Sequence, residues 1–209
     1  MKIVLDFDDT IFNTHQLMQE SLAVFRSLGF QEEQFWHAYQ KCKEKVGDFD
    51  PKTIIDLLGE IKPFDKIKAK KEISLILDDL KDFVYPDFFD FAKSFHKNDL
   101  ILLSFTTTAT QKNKIDNSKI AGFFGNIIIT RRDKAEDLEP IFEKHKGEKF
   151  FFIDDKTSQV DNIKSKFSEI ITMKIKRPQG ADIMTASRLA DYTIKDLYEA
   201  KNIINTEIL

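Results

Sequence analysis

The pattern of apolar positions changes character twice along this chain. Ile3-Val4-Leu5 is a short apolar run that predicts a buried strand. From about Thr14 to Val84 the pattern is helical. Leu17, Met18, Ser21, Leu22, Phe25 and Leu28 recur at three- and four-residue steps, and Gly29 marks the stop of that helix. Phe35, Trp36, Tyr39 and Cys42 predict a second helix. Pro51 suits the first turn of a third, over Thr53 to Leu58. Ile67 to Phe83 predicts another, with Ile73, Ile76, Leu77 and Leu80 on one face. No strand signal interrupts this stretch.

After Tyr85-Pro86-Asp87, short apolar runs alternate with amphipathic ones. Helices are predicted over Phe88 to Phe95, Thr110 to Ala121, Asp133 to Lys146, Thr157 to Phe167 and Asp196 to Ile204. Strands are predicted over Leu100 to Leu103, Asn126 to Thr130, Lys149 to Ile153, Ile170 to Ile175 and Asp191 to Ile194. That alternation predicts an α/β fold, a Rossmann-like parallel sheet covered on both faces. The long helical stretch predicts an inserted all-helical cap. The expected division is a core of residues 1–13 and 85–209 and a cap of 14–84.

Composition narrows the function classes. The chain has 209 residues, enough for one medium domain with a smaller one inserted. A net charge of -3 gives no electrostatic footprint for nucleic acid. Cys42 is the only cysteine, so an intrachain disulfide is impossible. No basic-then-apolar leader pattern opens the chain, and no apolar run approaches the roughly 18 residues that span a bilayer. The expectation is a soluble cytoplasmic protein, a monomer or weak homodimer, with no nucleic-acid or membrane partner. The four histidines, His15, His37, His96 and His145, lack zinc-ligand spacing.

Chemistry concentrates at strand ends. Asp6-Phe7-Asp8-Asp9-Thr10 follows the first strand, and a period of two would put Asp6 and Asp8 on one face. Two carboxylates about 4 Å apart repel by roughly 4 kcal/mol at an effective dielectric of 20. Relief comes from a shared proton or a bound cation. Ser104-Phe105-Thr106-Thr107 ends the second strand, Lys134 opens the helix after the third, and Asp154-Asp155 ends the fourth. Ligands of open α/β sheets bind beyond these carboxyl ends.

These four motifs, in this order and with a helical insertion after the first, resemble the haloacid dehalogenase-like hydrolase superfamily. The resemblance covers nearly the whole chain. It implies that Asp6 is a nucleophile forming an aspartyl-phosphate. Asp8 would be the general acid and base. Thr10 would fix the loop through its hydroxyl. Ser104 would bind a phosphate oxygen, with Phe105 and Thr106 beside it and Thr106 as the fallback. Lys134 would screen nucleophile and phosphate. Magnesium would be held by Asp6, the Asp8 carbonyl and Asp155, with Asp154 behind it or sharing the role. Asp161 is read as a solvated helix position, with a hold on Lys134 or coordination through water as the alternatives. Asp8 also discriminates within the superfamily. Members resembling the dehalogenases lack this acid, because a halide leaving group needs no proton.

The expected activity is therefore Mg²⁺-dependent hydrolysis of a small phosphorylated metabolite. A sugar phosphomutase, a nucleotidase and a non-catalytic phospho-ligand-binding protein are the alternatives. The paired Asp154-Asp155, where many relatives have Gly-Asp, and Phe105 after Ser104 depart from the usual pattern.

Overall fold

The computed structural model describes residues 1–107, 110–180 and 182–208. The chain divides into two compact units, residues 1–15, 84–105 and 120–209 in one and 16–83 with 106–119 in the other.

The first unit is built on a six-stranded parallel sheet. Its strands are β1 (Lys2–Leu5), β2 (Leu100–Phe105), β3 (Asn126–Thr130), β4 (Phe150–Asp154), β5 (Ile171–Ile175) and β6 (Tyr192–Ile194). They lie in the order β3-β2-β1-β4-β5-β6. The sequence explains the order. Leu100-Ile101-Leu102-Leu103 and Phe150-Phe151-Phe152-Ile153 are apolar without alternation and buried throughout, as strands covered on both faces must be. They flank β1, whose Leu5 registers with Leu102 on one side and Ile153 on the other. Edge strand β3 is only partly buried over most of its length. Chain order reverses direction between β1 and β4, so the crevice beyond those two strands is the topological switch point.

The helices of this unit are α5 (Pro86–Lys93), α7 (Lys134–Lys144) and α8 (Thr157–Lys166), which lead from one strand to another, and α9 (Leu197–Glu207), which follows the last strand. Phe88, fully buried on α5, packs its ring against Phe89, Phe123 and Phe124 at centroid distances of 5.6, 5.6 and 5.7 Å.

The second unit holds α1 from residue 16 onward (Thr14–Ser27), α2 (Glu32–Val46), α3 (Pro51–Ile61), α4 (Lys66–Asp78) and α6 (Thr110–Asn117). Local chemistry sets the boundaries. Asp50 caps α3 by accepting from Thr53 N at 2.8 Å, with Pro51 in the first turn. Asp65 caps α4 through Lys68 N. Gly47 ends α2 at a φ of +85°, where a side chain would be strained and would run into Thr107. Phe25, Phe30, Phe35 and Phe64 form its aromatic centre. Residues 106–119, expected with the core, cluster here instead. Thr107 Oγ1 donates to Val46 O at 2.6 Å, Asn117 Nδ2 to Leu77 O at 2.7 Å, and Leu80 N to Asn117 O at 3.1 Å. Those long-range bonds cannot be read from periodicity.

No helix among the described residues is long and apolar enough to cross a membrane. Phe88→Ala removes a fully buried ring with three aromatic neighbours and is expected to cost about 3–5 kcal/mol, read as a lower urea midpoint at unchanged m.

Candidate active site at the carboxyl edge of the sheet

β1 stops at Leu5, short of the Asp6-to-Asp8 stretch that the period-two argument needs. Asp6 N still donates to Ile153 O at 3.0 Å, but the chain then turns. Thr10, Ile11 and Phe12 all donate their N–H groups to Phe7 O, and Asp9 N donates to Phe12 O at 2.7 Å. Asp9 sits at φ 54°, in the left-handed region. The Phe7 and Phe12 rings, both fully buried, stack at 4.9 Å beneath this turn. Asp6 and Asp8 are thus related by a tight turn, not by a shared face of a strand.

Asp6 is buried, and so are Asp154 and Asp155 at the end of β4. One ligand-capable atom from each of the three lies within 4.8 Å of the others. The sheet forces this meeting: Leu5 and Ile153 are register partners, so the residues after them emerge side by side. Lys134, the first residue of α7, enters from the far side of β2. Its buried ammonium donates to Asp6 Oδ1 and, at 2.6 Å, to Asp154 Oδ2. Asp133 caps α7 by accepting from Ala135 N at 2.9 Å and also accepts from Asn162 and Lys166, which fixes where Lys134 begins.

The electrostatics follow from burial. Desolvation pushes the Asp6 carboxyl up to about 6 against the pull of Lys134. Asp155 is pushed up to about 9 by burial first and by Asp154 and Asp6 next. Burial works against the charge of Lys134, but Asp154 and Asp6 outweigh it and hold the ammonium protonated. One lysine thus neutralises part of a cluster of three acids.

The donor set fits a hard divalent cation. Both Asp154 oxygens have partners, since Oδ1 accepts from Lys156 N at 2.8 Å and Oδ2 from Lys134. Asp155 Oδ1 is buried with no hydrogen-bond partner among the described residues. A buried, unpartnered carboxylate oxygen beside two further acids is what an oxygen-seeking ion would complete. The two adjacent aspartates thus differ in their partners.

Other expected residues fall as follows. Asp8 Oδ1 accepts from Thr14 Oγ1 at 2.9 Å. Ser104 is buried within β2, which runs two residues past the predicted end, to Phe105. Phe105 is 39% exposed and Thr106 is buried. The Thr10 hydroxyl does not fix the loop: it is buried without a hydrogen-bond partner among the described residues. The Thr10 backbone does so instead, its carbonyl accepting two bonds from Arg177. Asp161 does not hold Lys134. It accepts from Ser187 Oγ and from Leu189 N at 3.3 Å.

The sequence reading missed Lys174, Asp182 and Lys156. Lys174 is fully buried on β5 and donates to the Asp155 carbonyl and, at 2.8 Å, to the Asp182 carboxylate. A lysine inside an otherwise apolar predicted strand was the available signal. The Lys156 ammonium is held charged by Asp6, Asp154 and Asp155 against desolvation.

Compared by sequence, the chain matches no family model and no curated protein. Its structure matches a haloacid dehalogenase-like hydrolase structure from Burkholderia xenovorans at a TM-score of 0.73 and 18% identity, over 95% of this chain and 96% of that one. The HAD-hydrolase YfnB from Bacillus subtilis, a structure bound to magnesium, matches at 0.62 and 17%, over 98% of each chain. L-2-haloacid dehalogenase from Xanthobacter autotrophicus matches at 0.63 and 13%, again over 98% of each. The chain has the haloacid dehalogenase-like hydrolase fold. Within that fold, Asp6 and the Asp154-Asp155 pair occupy the switch point between β1 and β4.

Asp182 supplies a pH test of the scaffold behind the acids. Burial alone would raise its carboxyl, but hydrogen bonds from Lys174, Thr185 and Thr157 hold it well below the usual carboxylate range. A carboxyl lowered on folding stabilises fully above its unfolded pKa, near 3.9, and loses that contribution as pH falls further. Asp182→Asn is therefore expected to lower Tm at pH 7. The gap from wild type should narrow below about pH 4, measured by thermal melts across pH.

Proposed function

We propose that this protein is a phosphatase that hydrolyses a small phosphomonoester through an aspartyl-phosphate on Asp6. The observation that carries the reading is the buried cluster of Asp6, Asp154 and Asp155, with Lys134 bridging Asp6 and Asp154 and Asp155 Oδ1 without a partner among the described residues.

Each residue has a task that its surroundings suit. Asp6 attacks phosphorus as the ester oxygen leaves. Lys134 holds the attacking carboxylate in place and screens it from the phosphate, whose like charge would otherwise repel it. Asp8, tethered by Thr14, gives its proton to the departing alkoxide. Its carboxylate then takes a proton from water, which attacks the phosphorus, frees Asp6 and releases inorganic phosphate. Splitting one displacement into two spares the enzyme a direct attack of water on the ester. Ser104, with Phe105 and Thr106 at the end of β2, is the proposed seat of the non-bridging phosphate oxygens.

Asp6, the Asp8 carbonyl and Asp155 would hold Mg²⁺, with Asp154 turned to Lys134 and the Lys156 backbone. When bound, the ion would supply charge neutralisation for the phosphoryl oxygens. The likeness to a magnesium-bound hydrolase supports this choice.

A second reading is dehalogenation, favoured by the likeness to L-2-haloacid dehalogenase. It needs no proton donor for its leaving group, so it leaves Asp8 without a task. It also gives no reason for an acidic cluster with an orphaned oxygen.

Phosphate release from p-nitrophenyl phosphate and chloride release from 2-chloropropionate separate the two. Phosphate release that EDTA stops and that Asp6→Asn lowers by at least about 10³-fold is expected. Chloride release without phosphate release would establish the second reading in its place.

A further inference from the structure

The turn that carries Asp8 is held by a residue outside the motifs. Arg177 follows β5 and is only 4% exposed. Its guanidinium makes four hydrogen bonds, through all three nitrogens. Nε and Nη2 donate to the Thr10 carbonyl at 3.1 and 2.8 Å. Nη1 and Nη2 donate to the two oxygens of Asp87 at 2.7 and 3.0 Å. Its flat face lies 4.0 Å from the centre of the Tyr85 ring. Asp87 is anchored in turn by Leu197 N at 2.8 Å, and Tyr85 N donates to Ile11 O at 2.8 Å. The segment after Arg177 also approaches the turn: a side chain on Gly180 would meet Asp9 Cβ at 3.8 Å.

A buried ion pair is a poor device for stability alone, because desolving both ions offsets most of their attraction. Here it ends on the carbonyl of the residue after a left-handed aspartate. A non-glycine residue in that conformation costs roughly 1–2 kcal/mol and persists only where its surroundings enforce it. Thr10 contributes no side-chain bond among the described residues, so its carbonyl is the handle.

We propose that Arg177 is a positioning residue: its fork on Thr10 O, braced by Asp87 and Tyr85, sets the turn so that Asp8 can serve as the general acid. The proposal rests on the phosphatase reading for the acid's role, and on geometry alone for the clamp. A purely structural Arg177 and a positioning one differ in leaving-group dependence. p-Nitrophenolate departs with little need of a proton, whereas phenolate needs one. kcat/KM for the two phosphates covers only the steps through leaving-group departure.

The experiment compares p-nitrophenyl phosphate with phenyl phosphate in the wild type, Arg177→Met and Arg177→Lys. The lysine variant keeps a cation facing Asp87 should the methionine variant fail to fold. Hydrogen exchange at the amides of Asp9 to Phe12 is followed in the same samples. The expected result is a preference for p-nitrophenyl phosphate over phenyl phosphate that rises about tenfold or more in the variants, with faster exchange confined to the turn. Equal losses on both substrates, or no loss, would overturn the positioning role. If the wild type turns over neither ester, the phosphatase reading has failed and exchange decides the clamp. Faster exchange in the variants upholds it, and unchanged exchange removes it.

Discussion

Like charge held together by one lysine is the constraint on which the rest of this site depends. Asp6, Asp154 and Asp155 approach within 4.8 Å in a place where water does not screen them. The parallel sheet forces the approach, because β1 and β4 are neighbours in register and their last residues come out together. Lys134 relieves only part of it, engaging Asp6 and Asp154, while an oxygen of Asp155 has no partner among the described residues. A stable fold without a task could replace such a cluster with apolar residues at little cost or some gain. What the arrangement offers in exchange is an oriented carboxylate, an adjacent cation and a donor set compatible with a hard metal ion.

Support for those acids comes from behind the sheet's edge and uses backbone carbonyls as handles. Lys174 reaches the Asp155 carbonyl from β5, and Arg177 reaches the Thr10 carbonyl from the segment after it. Both cations are buried, and each is paired with an aspartate, Asp182 and Asp87. β5 and the segment after it thus brace the turn after β4 and the turn after β1.

Much of this was legible in the sequence. The apolar runs placed all six strands within a few residues, because strands buried on both faces leave an unbroken hydrophobic signature. Asp6, Lys134 and the Asp154-Asp155 pair could be placed at or beside element ends from the sequence, and the structure brings them together. Three things were not legible. The turn at Asp6–Phe12 depends on a positive φ at Asp9 and a carbonyl shared by three amides, which has no residue-type signature. The partners of Asp161, Ser187 and Leu189, are far along the chain, as is Arg177 from Thr10. Residues 106–119 follow a core strand yet pack with the helical unit, through bonds that no periodicity encodes.

The central claim is that Asp6 becomes covalently phosphorylated. The direct measurement is acid quenching of the Asp8→Asn variant during turnover of p-nitrophenyl phosphate with Mg²⁺, followed by peptide mass spectrometry. The account predicts the mass of one phosphoryl group on the peptide that contains Asp6, accumulating because Asp8 is no longer there to activate water. Phosphate released by the wild type with no phosphorylated peptide in the variant, or with the phosphoryl group on a residue other than Asp6, would contradict it.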